Sequence, residues 1–341
     1  KLFNTLRDKF KNYKPETNSM PFHTRLLGKD RMALFSFIHS RVQAYKENKL
    51  NVDVAVVHSE YIEKTEFATF ENVDYIRTGY NQIRNLLQVR KYDKILIHFF
   101  DPAYFQLLEP QDLSNTQIIL YSHGTDALYR AFDVIGRPYF VSDYVVPESF
   151  TKTFALRDYY IKKYNNLPNV KFVFVSNWAK KMSEELLKIK YNNAEVIPCF
   201  IDERQFPYTE KDPELRKRVF VLRKFDDLST YSIDIDVRVI LELSHRKCFN
   251  DMEFSIYGDG GIHDKLVEPL RKFSNVHIYR KFLSHDEIKM MQKENGIGLF
   301  ATRFDTQAVS SCEAAMAGCV VVSSKNVGTC EYIDPKIGAF C

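Results

Sequence analysis

The sequence predicts an α/β protein with two doubly wound, Rossmann-like domains. Short apolar runs rich in β-branched residues alternate along the chain with longer amphipathic segments. The apolar runs are nearly continuous, which is typical of parallel strands that helices cover on both faces. The length of 341 residues exceeds what one ordinary core needs and suits two domains.

Ten segments have the length and composition of buried strands: Val52–His58, Lys94–Phe99, Gln117–Ser122, Val170–Val175, Ala194–Pro198, Arg218–Arg223, Glu253–Tyr257, Val276–Tyr279, Ile297–Phe300 and Val320–Ser323. Six segments between them have helical periodicity: Asp30–Asn48, Asn177–Lys188, Ile233–His245, Gly261–Lys272, Ser284–Lys293 and Ser310–Ala317. Strands that alternate with helices in this way predict parallel sheets with helical crossovers.

A change of composition at 206–216 predicts the boundary between the domains. This stretch, FPYTEKDPELR, contains Pro207 and Pro213, many charges and few apolar residues. We expect an N-terminal domain over residues 1–207, a linker over 208–214 and a C-terminal domain over 215–341. Because the first clear strand already follows a helix and the chain stops soon after a strand, we expect both ends of this architecture to be incomplete.

Composition narrows the class of protein and its location. Hydrophobic residues make up 45% and charged residues 27% of the chain, as in a globular protein, and the net charge of +4 does not favour a nucleic-acid partner. The six cysteines form no CxxC pair and no zinc-like spacing with histidine, so we expect reduced, buried thiols, no metal site and a cytoplasmic protein.

The first fourteen residues leave two interpretations open. Lys1–Lys14 contains five basic residues and one acidic residue, with apolar residues at helical spacing. A basic amphipathic helix of this kind can lie on an anionic membrane surface, which would place the protein at the inner face of the membrane. The alternative is a first helix that packs its apolar side onto its own domain.

The segment Ile297–Ile333 has the strongest chemical pattern. A buried strand ends in the polar loop Ala301–Ala308, a helix follows and runs to Gly318, and a second strand comes next. Ligands of open α/β sheets bind at the carboxyl ends of strands, where a helix N-terminus offers N–H groups to a diphosphate. Glu313 lies one turn into this helix, where its carboxylate can accept two hydrogen bonds from a ribose diol.

This segment resembles the signature of the retaining GT-B glycosyltransferases, especially glycosyltransferase family 4. That signature is an acidic residue, seven further residues, then Glu-Ala and a small-residue helix that ends in Gly; here it is Asp305, TQAVSSC and Glu313-Ala314 with AMAG. The resemblance implies that Glu313 binds the nucleotide ribose and that Asp305, usually Glu in the family, lies beside the donor sugar. It also implies a set of residues whose amides face the sugar and diphosphate: Thr306, Gln307, Ala308, Val309 and Ser310.

Three further segments resemble the same family. YSHGTDA is similar to its His-Gly-x-Asp, which implies that His123 and Asp126 face the catalytic cleft. VFVLRKF aligns with the strand whose end carries a phosphate-binding arginine, here Arg223; the family's lysine five residues later is Leu228 here, so Lys224 is the substitute candidate. FSIYGDGG is similar to the family's Gly-Asp-Gly turn and makes Gly258 and Gly260 cofactor-binding candidates, with a simple tight turn as the alternative. In the N-terminal domain the only candidate for a glycine loop is Gly28.

The resemblance implies a GT-B fold and a retaining hexosyltransferase. It would move a hexose or N-acetylhexosamine from a nucleoside-diphosphate sugar, with UDP as the commonest nucleotide in the family, and without a metal or other cofactor. The acceptor would be a glycan, a lipid-linked molecule or a cell-envelope polymer. The alternatives are a catalytically silent GT-B subunit that stabilises a partner transferase, a sugar-nucleotide epimerase of the same architecture, and a DNA glucosyltransferase, against which the weak positive charge argues.

Two other patterns have a functional and a structural interpretation. Asp234-Ile235-Asp236 has the spacing of a metal-binding DxD but lies within a helical pattern. Lys152–Tyr164 is basic and aromatic and would suit an anionic or lipid-linked acceptor, although a solvated helix face is the commoner structure for such a stretch. We therefore expect Asp234 and Asp236 to lie on a helix and leave the role of Lys152–Tyr164 open.

Overall fold

The computed structural model describes residues 36–58, 65–70, 72–128, 148–225, 228, 231–325, 328–336 and 338–340. The predictions for Lys1–Lys14 and for Gly28 lie outside these residues. The chain divides into two compact units, which are Lys1–Ile95 with Pro102–Ile118, and Leu96–Asp101 with Ile119–Cys341. This division does not fall at 208–214, and the predicted domain boundaries stay a prediction.

The first unit contains a three-stranded sheet in the order β1-β3-β2. Its elements are α1 (Ser36–Glu47), β1 (Val54–His58), β2 (Glu66–Phe70), β3 (Val73–Gly79), α2 (Tyr80–Val89) and α3 (Pro102–Leu108). β1 pairs with β3 in parallel, whereas β2 pairs with β3 in antiparallel register. Two apolar clusters form the core, one around Val73 and Tyr75 and the other around Val57 and Ile83.

A four-stranded sheet in the order β4-β5-β6-β7 has most of its residues in the second unit. Its strands are β4 (Lys94–His98), β5 (Gln117–Ser122), β6 (Val170–Phe174) and β7 (Ala194–Val196), and its helices are α4 (Thr125–Leu128), α5 (Glu148–Asn165) and α6 (Asn177–Leu187). Ser176 caps α6 by accepting a hydrogen bond from the Ala179 amide, which fixes where that helix begins.

The second unit also contains a six-stranded parallel sheet in the order β10-β9-β8-β11-β12-β13. The strands are β8 (Arg218–Leu222), β9 (Glu253–Gly258), β10 (Val276–Arg280), β11 (Ile297–Phe300), β12 (Val320–Ser323) and β13 (Gly338–Phe340). The helices are α7 (Ile233–Leu243), α8 (His263–Val267), α9 (His285–Glu294) and α10 (Val309–Met316). Counted from β8, this is the 3-2-1-4-5-6 order of a doubly wound Rossmann sheet.

The segment predicted as a linker is fixed to α9 and to the end of α10. The Lys211 ammonium is buried and donates to the backbone oxygens of Gln292 and Lys293, and burial lowers the pKa of this lysine. The Thr209 amide donates to the Ala317 carbonyl at 3.4 Å. These contacts hold the segment in place although its composition is that of an exposed linker.

Among the described residues the predicted strands and helices all occur, with shifts of a few residues at their ends. Residues 30–35 of the predicted helix Asp30–Asn48 lie outside the described residues. The sequence prediction missed the β2–β3 hairpin, α2, α3, α4 and β13, and it anticipated α5 only as the helical alternative for Lys152–Tyr164. The sequence does contain a signal for this hairpin, which is Asn72 between two runs of alternating polarity. Asparagine tolerates the left-handed conformation that Asn72 adopts, with φ 63°. Within the described ranges, none of the helices combines the length and the apolar character that crossing a membrane requires.

The expectation of buried cysteines was correct only in part. Cys199 and Cys319 are buried, but Cys248 and Cys330 are exposed. The two exposed thiols lie in the short 3₁₀ helices Lys247–Asp251 and Gly328–Glu331 rather than on the inner face of a strand or helix.

Candidate functional site

The six-stranded sheet reverses its winding between β8 and β11. These two strands are hydrogen-bonded neighbours, but the chain continues from β8 toward β9 on one side and from β11 toward β12 on the other. The two connections therefore leave a crevice at the carboxyl ends of β8 and β11, where open α/β sheets bind their ligands. Arg223 follows β8 directly, and the loop 301–308 follows β11 directly.

Arg223 is a buried cation with hydrogen-bonding capacity left over. Its side chain is 6% exposed, and its guanidinium carbon lies 5.0 Å from the centre of the Tyr231 ring and 4.9 Å from that of Phe300. Its Nη1 donates weakly to the Ser310 hydroxyl at 3.4 Å. Nε and Nη2 are buried without a hydrogen-bond partner among the described residues. Since buried charged donors are normally bonded, these two nitrogens are suited to donating hydrogen bonds to an anionic ligand.

The helix α10 begins beside Arg223 without a side-chain cap. Its N-cap residue is Ala308, which adopts a left-handed conformation with φ 58° and ψ 62°. A non-glycine residue there costs about 1–2 kcal/mol, because its Cβ crowds the following carbonyl. The first amides of the helix, those of Val309 and Ser310, have no acceptor inside the helix. Their positive dipole end lies on the same side as Arg223, through the contact with Ser310.

Glu313 lies one turn further into α10. Burial alone raises the pKa of its carboxyl to about 8. In the part of the chain that the structure describes, no hydrogen bond to this carboxyl is found. A half-buried carboxyl group without a protein partner has the bonding capacity that a ribose diol requires.

Asp305 turns its carboxyl group back onto its own loop. Oδ1 accepts from the amides of Gln307 at 3.3 Å and Ala308 at 2.6 Å. Burial raises the pKa of this carboxyl, and the positive charge of Arg223 opposes that rise. The aspartate side chain is short enough to bond the amides two and three residues onward, which a longer glutamate does less readily. Two of the five amides expected to face the donor are therefore used within the loop.

The loop is also tied to the four-stranded sheet. The Thr306 hydroxyl donates to the carbonyl oxygen of His123 at 2.7 Å. The buried Gln307 side chain pairs with both backbone groups of Cys199, accepting from its N–H at 2.6 Å and donating to its carbonyl at 2.9 Å. Thr306 and Gln307 thus fix the loop through their side chains, a role that the motif did not indicate.

The two N-terminal candidates differ in their surroundings. Asp126 is buried, and its carboxylate accepts from the amides of Phe100, His123 and Gly124 at 2.7–3.2 Å. Burial raises its pKa, and these backbone bonds oppose the rise. Asp126 therefore organises the loop that carries His123 and does not lie open to a substrate. His123 itself is half-buried and lies next to the Thr306 side chain.

Packing and turn geometry explain the two glycines at the end of β9 and in the turn that follows it. A Cβ atom on Gly258 would lie 1.8 Å from the carbonyl oxygen of Arg223 and 2.7 Å from the Phe225 ring. Gly258 is therefore required by the close approach of β8 and β9, which also orients Arg223. The Gly260 amide donates to the Asp259 carboxylate at 2.7 Å within the turn. The structure thus accounts for both glycines without a ligand, as in the tight-turn alternative.

At the position where the resembling family has a second phosphate-binding lysine, this chain has Leu228. Leu228 packs against the apolar core around Val221, and its carbonyl accepts from Arg303 at 3.0 Å. Lys224, the residue after Arg223, is half-buried and interacts with other residues.

The DxD pair lies in the first turn of α7 and is engaged inside the protein. Arg303 forms a buried two-pronged ion pair with Asp234, with both distances 2.8 Å. Asp236 is fully buried and accepts from the Ala301 amide at 2.9 Å, and burial raises its pKa to about 7 against the charge of Arg223. The sequence did not indicate these roles, because the partners are more than sixty positions apart. Within the described ranges, no group of three or more His, Cys, Asp or Glu is arranged for a metal ion.

Comparison with known protein families gives one short match. A family model described as "Type II restriction endonuclease, HinfI" matches residues 1–44. No curated protein sequence matches the chain. A match to 44 of 341 residues does not place the chain in that family.

Comparison with solved structures gives a fold-level likeness. The chain is similar to TarM (17% identity, TM-score 0.54), covering 77% of this chain and 47% of TarM. It is similar to sucrose-phosphate synthase from Thermosynechococcus elongatus (13% identity, TM-score 0.63), covering 89% of this chain and 79% of that one. It is also similar to a structure described as trehalose-6-phosphate from E. coli bound with UDP-2-fluoro glucose (12% identity, TM-score 0.57), covering 86% and 82%.

The chain spans about half the length of TarM. The similar structures are GT-B glycosyltransferases with two Rossmann-like domains, and the predicted fold class is confirmed. Identities of 11–17% show the fold and leave the activity to be argued from the site.

Proposed function

We propose that the chain is a retaining glycosyltransferase that moves a hexose or N-acetylhexosamine from a nucleoside-diphosphate sugar, with UDP as the nucleotide. The observation that carries this proposal is Arg223, a buried guanidinium with two unbonded N–H groups beside the open N-terminus of α10. A diphosphate would satisfy both features at the topological switch point. The UDP-2-fluoro glucose named for the E. coli structure is consistent with this choice of nucleotide.

In this proposal each residue of the site has its own role in binding the donor or in shaping the site. Arg223 and the amides of Val309 and Ser310 hold the diphosphate and stabilise the charge that develops on it as the bond from the sugar breaks. Glu313 binds the ribose hydroxyls. Asp305 and Asp126 shape the two loops of the site through backbone hydrogen bonds.

In the transfer, the bond between the anomeric carbon and the phosphate oxygen breaks while the acceptor oxygen bonds the same face of that carbon. The hydroxyl proton of the acceptor passes to the leaving phosphate. No group of the protein forms a covalent bond in this scheme, so positioning and electrostatic stabilisation account for catalysis. The acceptor would be a glycan, a lipid-linked molecule or a cell-envelope polymer, and no metal or other cofactor takes part.

A donor screen tests the proposal. The protein is incubated with UDP-, GDP- and ADP-sugars, slow donor hydrolysis is followed, and the screen is repeated with Glu313→Ala. Hydrolysis of one donor that the variant loses supports the proposal. If neither hydrolysis nor nucleotide binding is detected with any donor, the site assignment is wrong.

A second candidate is a catalytically silent subunit of GT-B architecture. The apolar packing of Leu228, where the family has a phosphate-binding lysine, favours it. Tight UDP binding without turnover, with all donors and a panel of acceptors, would identify this function.

A further inference from the structure

Two imidazole rings meet at the carboxyl ends of β4 and β5. His98 Nδ1 lies 2.7 Å from His123 Nε2, and the ring centres are 5.0 Å apart. A hydrogen bond between two imidazole nitrogens needs one hydrogen, which only one of the two can carry. The tautomer of each ring is therefore tied to that of the other.

Other groups hold the pair from several sides. The Tyr121 ring stacks on His98 with centres 4.7 Å apart, and the Cys199 sulfur lies 3.8 Å from His123 Nδ1. The Asp126 carboxylate accepts from the His123 amide at 3.1 Å. Both ring nitrogens of His123 thus face protein groups, and the His123 carbonyl faces the Thr306 hydroxyl.

We propose that His98 is a positioning residue for the donor site, because it holds His123, and His123 in turn holds Thr306 and the loop around Asp305. This inference rests on the proposed function, since in that function the loop around Asp305 borders the diphosphate site. The connection consists of two hydrogen bonds of 2.7 Å: one joins His98 and His123, and in the other the Thr306 hydroxyl donates to the His123 carbonyl oxygen. The role is distinct from contact with a substrate.

The pair has a specific response to acid. With one extra proton shared between them, the two rings keep their hydrogen bond. With a second, both facing nitrogens carry a hydrogen, the bond is lost and two positive charges lie side by side. An asparagine in place of His98 does not titrate, and its side-chain oxygen can accept from protonated His123. His98→Asn therefore keeps the contact in acid, whereas His98→Ala removes it at every pH.

The experiment compares wild type, His98→Asn and His98→Ala between about pH 4 and 8. The range extends below that of a single histidine because the charge of the first proton opposes uptake of the second. Hydrogen exchange of the amides in Thr306–Ala308 reports the order of the loop, and calorimetry with UDP reports binding. Asp126, Cys199 and Tyr121 face the pair in all three proteins, and the effect of pH on Asp236 and on the UDP phosphates is also common to them. These effects therefore cancel in the comparison.

In wild type we expect loop protection and UDP affinity to fall together at the acid end. We expect His98→Asn to keep both, and His98→Ala to lose about tenfold in UDP affinity at neutral pH, the effect of one hydrogen bond. An acid loss in His98→Asn equal to that of wild type, or unchanged loop protection in His98→Ala, would overturn the inference. If wild type binds no UDP at any pH, the proposed function fails, while hydrogen exchange still decides whether His98 positions the loop.

Discussion

Replacing Arg223 by methionine separates a ligand-binding role from a structural one. The guanidinium has two unbonded N–H groups in a buried site. Each hydrogen bond from a charged donor contributes about 1.5–3 kcal/mol, so two to a diphosphate amount to about 3–6 kcal/mol, or roughly 10²- to 10⁴-fold in UDP affinity. We expect Arg223→Met to lose that much, measured by calorimetry with UDP. Arg223→Lys keeps the charge without the fork and should lose less.

The stability of the same variant should not fall. Methionine can occupy the space between Tyr231 and Phe300, and it removes a buried cation whose Nε and Nη2 lack protein partners among the described residues. The buried carboxyl groups on which its charge acts, those of Asp236 and Asp305, can take up a proton when that charge is removed. We expect the midpoint of thermal unfolding to stay unchanged or rise. Arg271→Met is the matched control, because Arg271 is exposed and makes only surface ion pairs with Asp264 and Glu268. UDP affinity equal to wild type in Arg223→Met, or loss of binding through unfolding, would refute the assignment.

Three further predictions concern the same crevice. Burial raises the pKa of Glu313 to about 8, so this carboxyl is mainly protonated at pH 7. Glu313→Gln should therefore bind UDP within about tenfold of wild type at that pH, whereas Glu313→Ala should bind much more weakly. Calorimetry with UDP distinguishes the two variants. Asp236 ionises as the pH rises through about 7 and adds a negative charge near Arg223, so UDP affinity should decrease over that range in wild type. This decrease should be absent from Asp236→Asn, as a binding titration against pH would show. Gly258→Ala should destabilise the protein by at least about 1–3 kcal/mol in a denaturant titration, whereas Gly261→Ala, whose Cβ would meet nothing within 4 Å, should not.

The parts of the site that follow from strand order could be predicted from sequence. An apolar strand that ends in arginine, and another that ends in a polar loop and a helix, lie at one edge of a parallel sheet whatever their partners are. For this reason Arg223 and the start of α10 were placed correctly, the latter to within one residue. Glu313 lies in the first turns of that helix, as expected, and its carboxyl group has no hydrogen bond among the described residues.

The parts that depend on long-range contacts could not be predicted. Gln307 pairs with Cys199, and Arg303 pairs with Asp234, across separations of 108 and 69 residues. Nothing in the local pattern of either residue differs from a polar loop position. Asp126 was assigned to the cleft because YSHGTDA resembles the family's His-Gly-x-Asp, but its short side chain accepts hydrogen bonds from the amides of its own turn.

The charges in the crevice explain why these acids can lie beside an anion site. The charge of Arg223 acts on Asp236 and Asp305, and Glu313 lies one turn into α10. Burial raises the pKa of all three carboxyl groups. If all were ionised, a diphosphate would meet more negative than positive charge. A proton on Glu313, and on Asp236 part of the time near neutral pH, leaves Arg223 and the N-terminus of α10 as the dominant field. The same burial that makes these carboxylates costly thus keeps the crevice electrostatically suited to a nucleoside diphosphate.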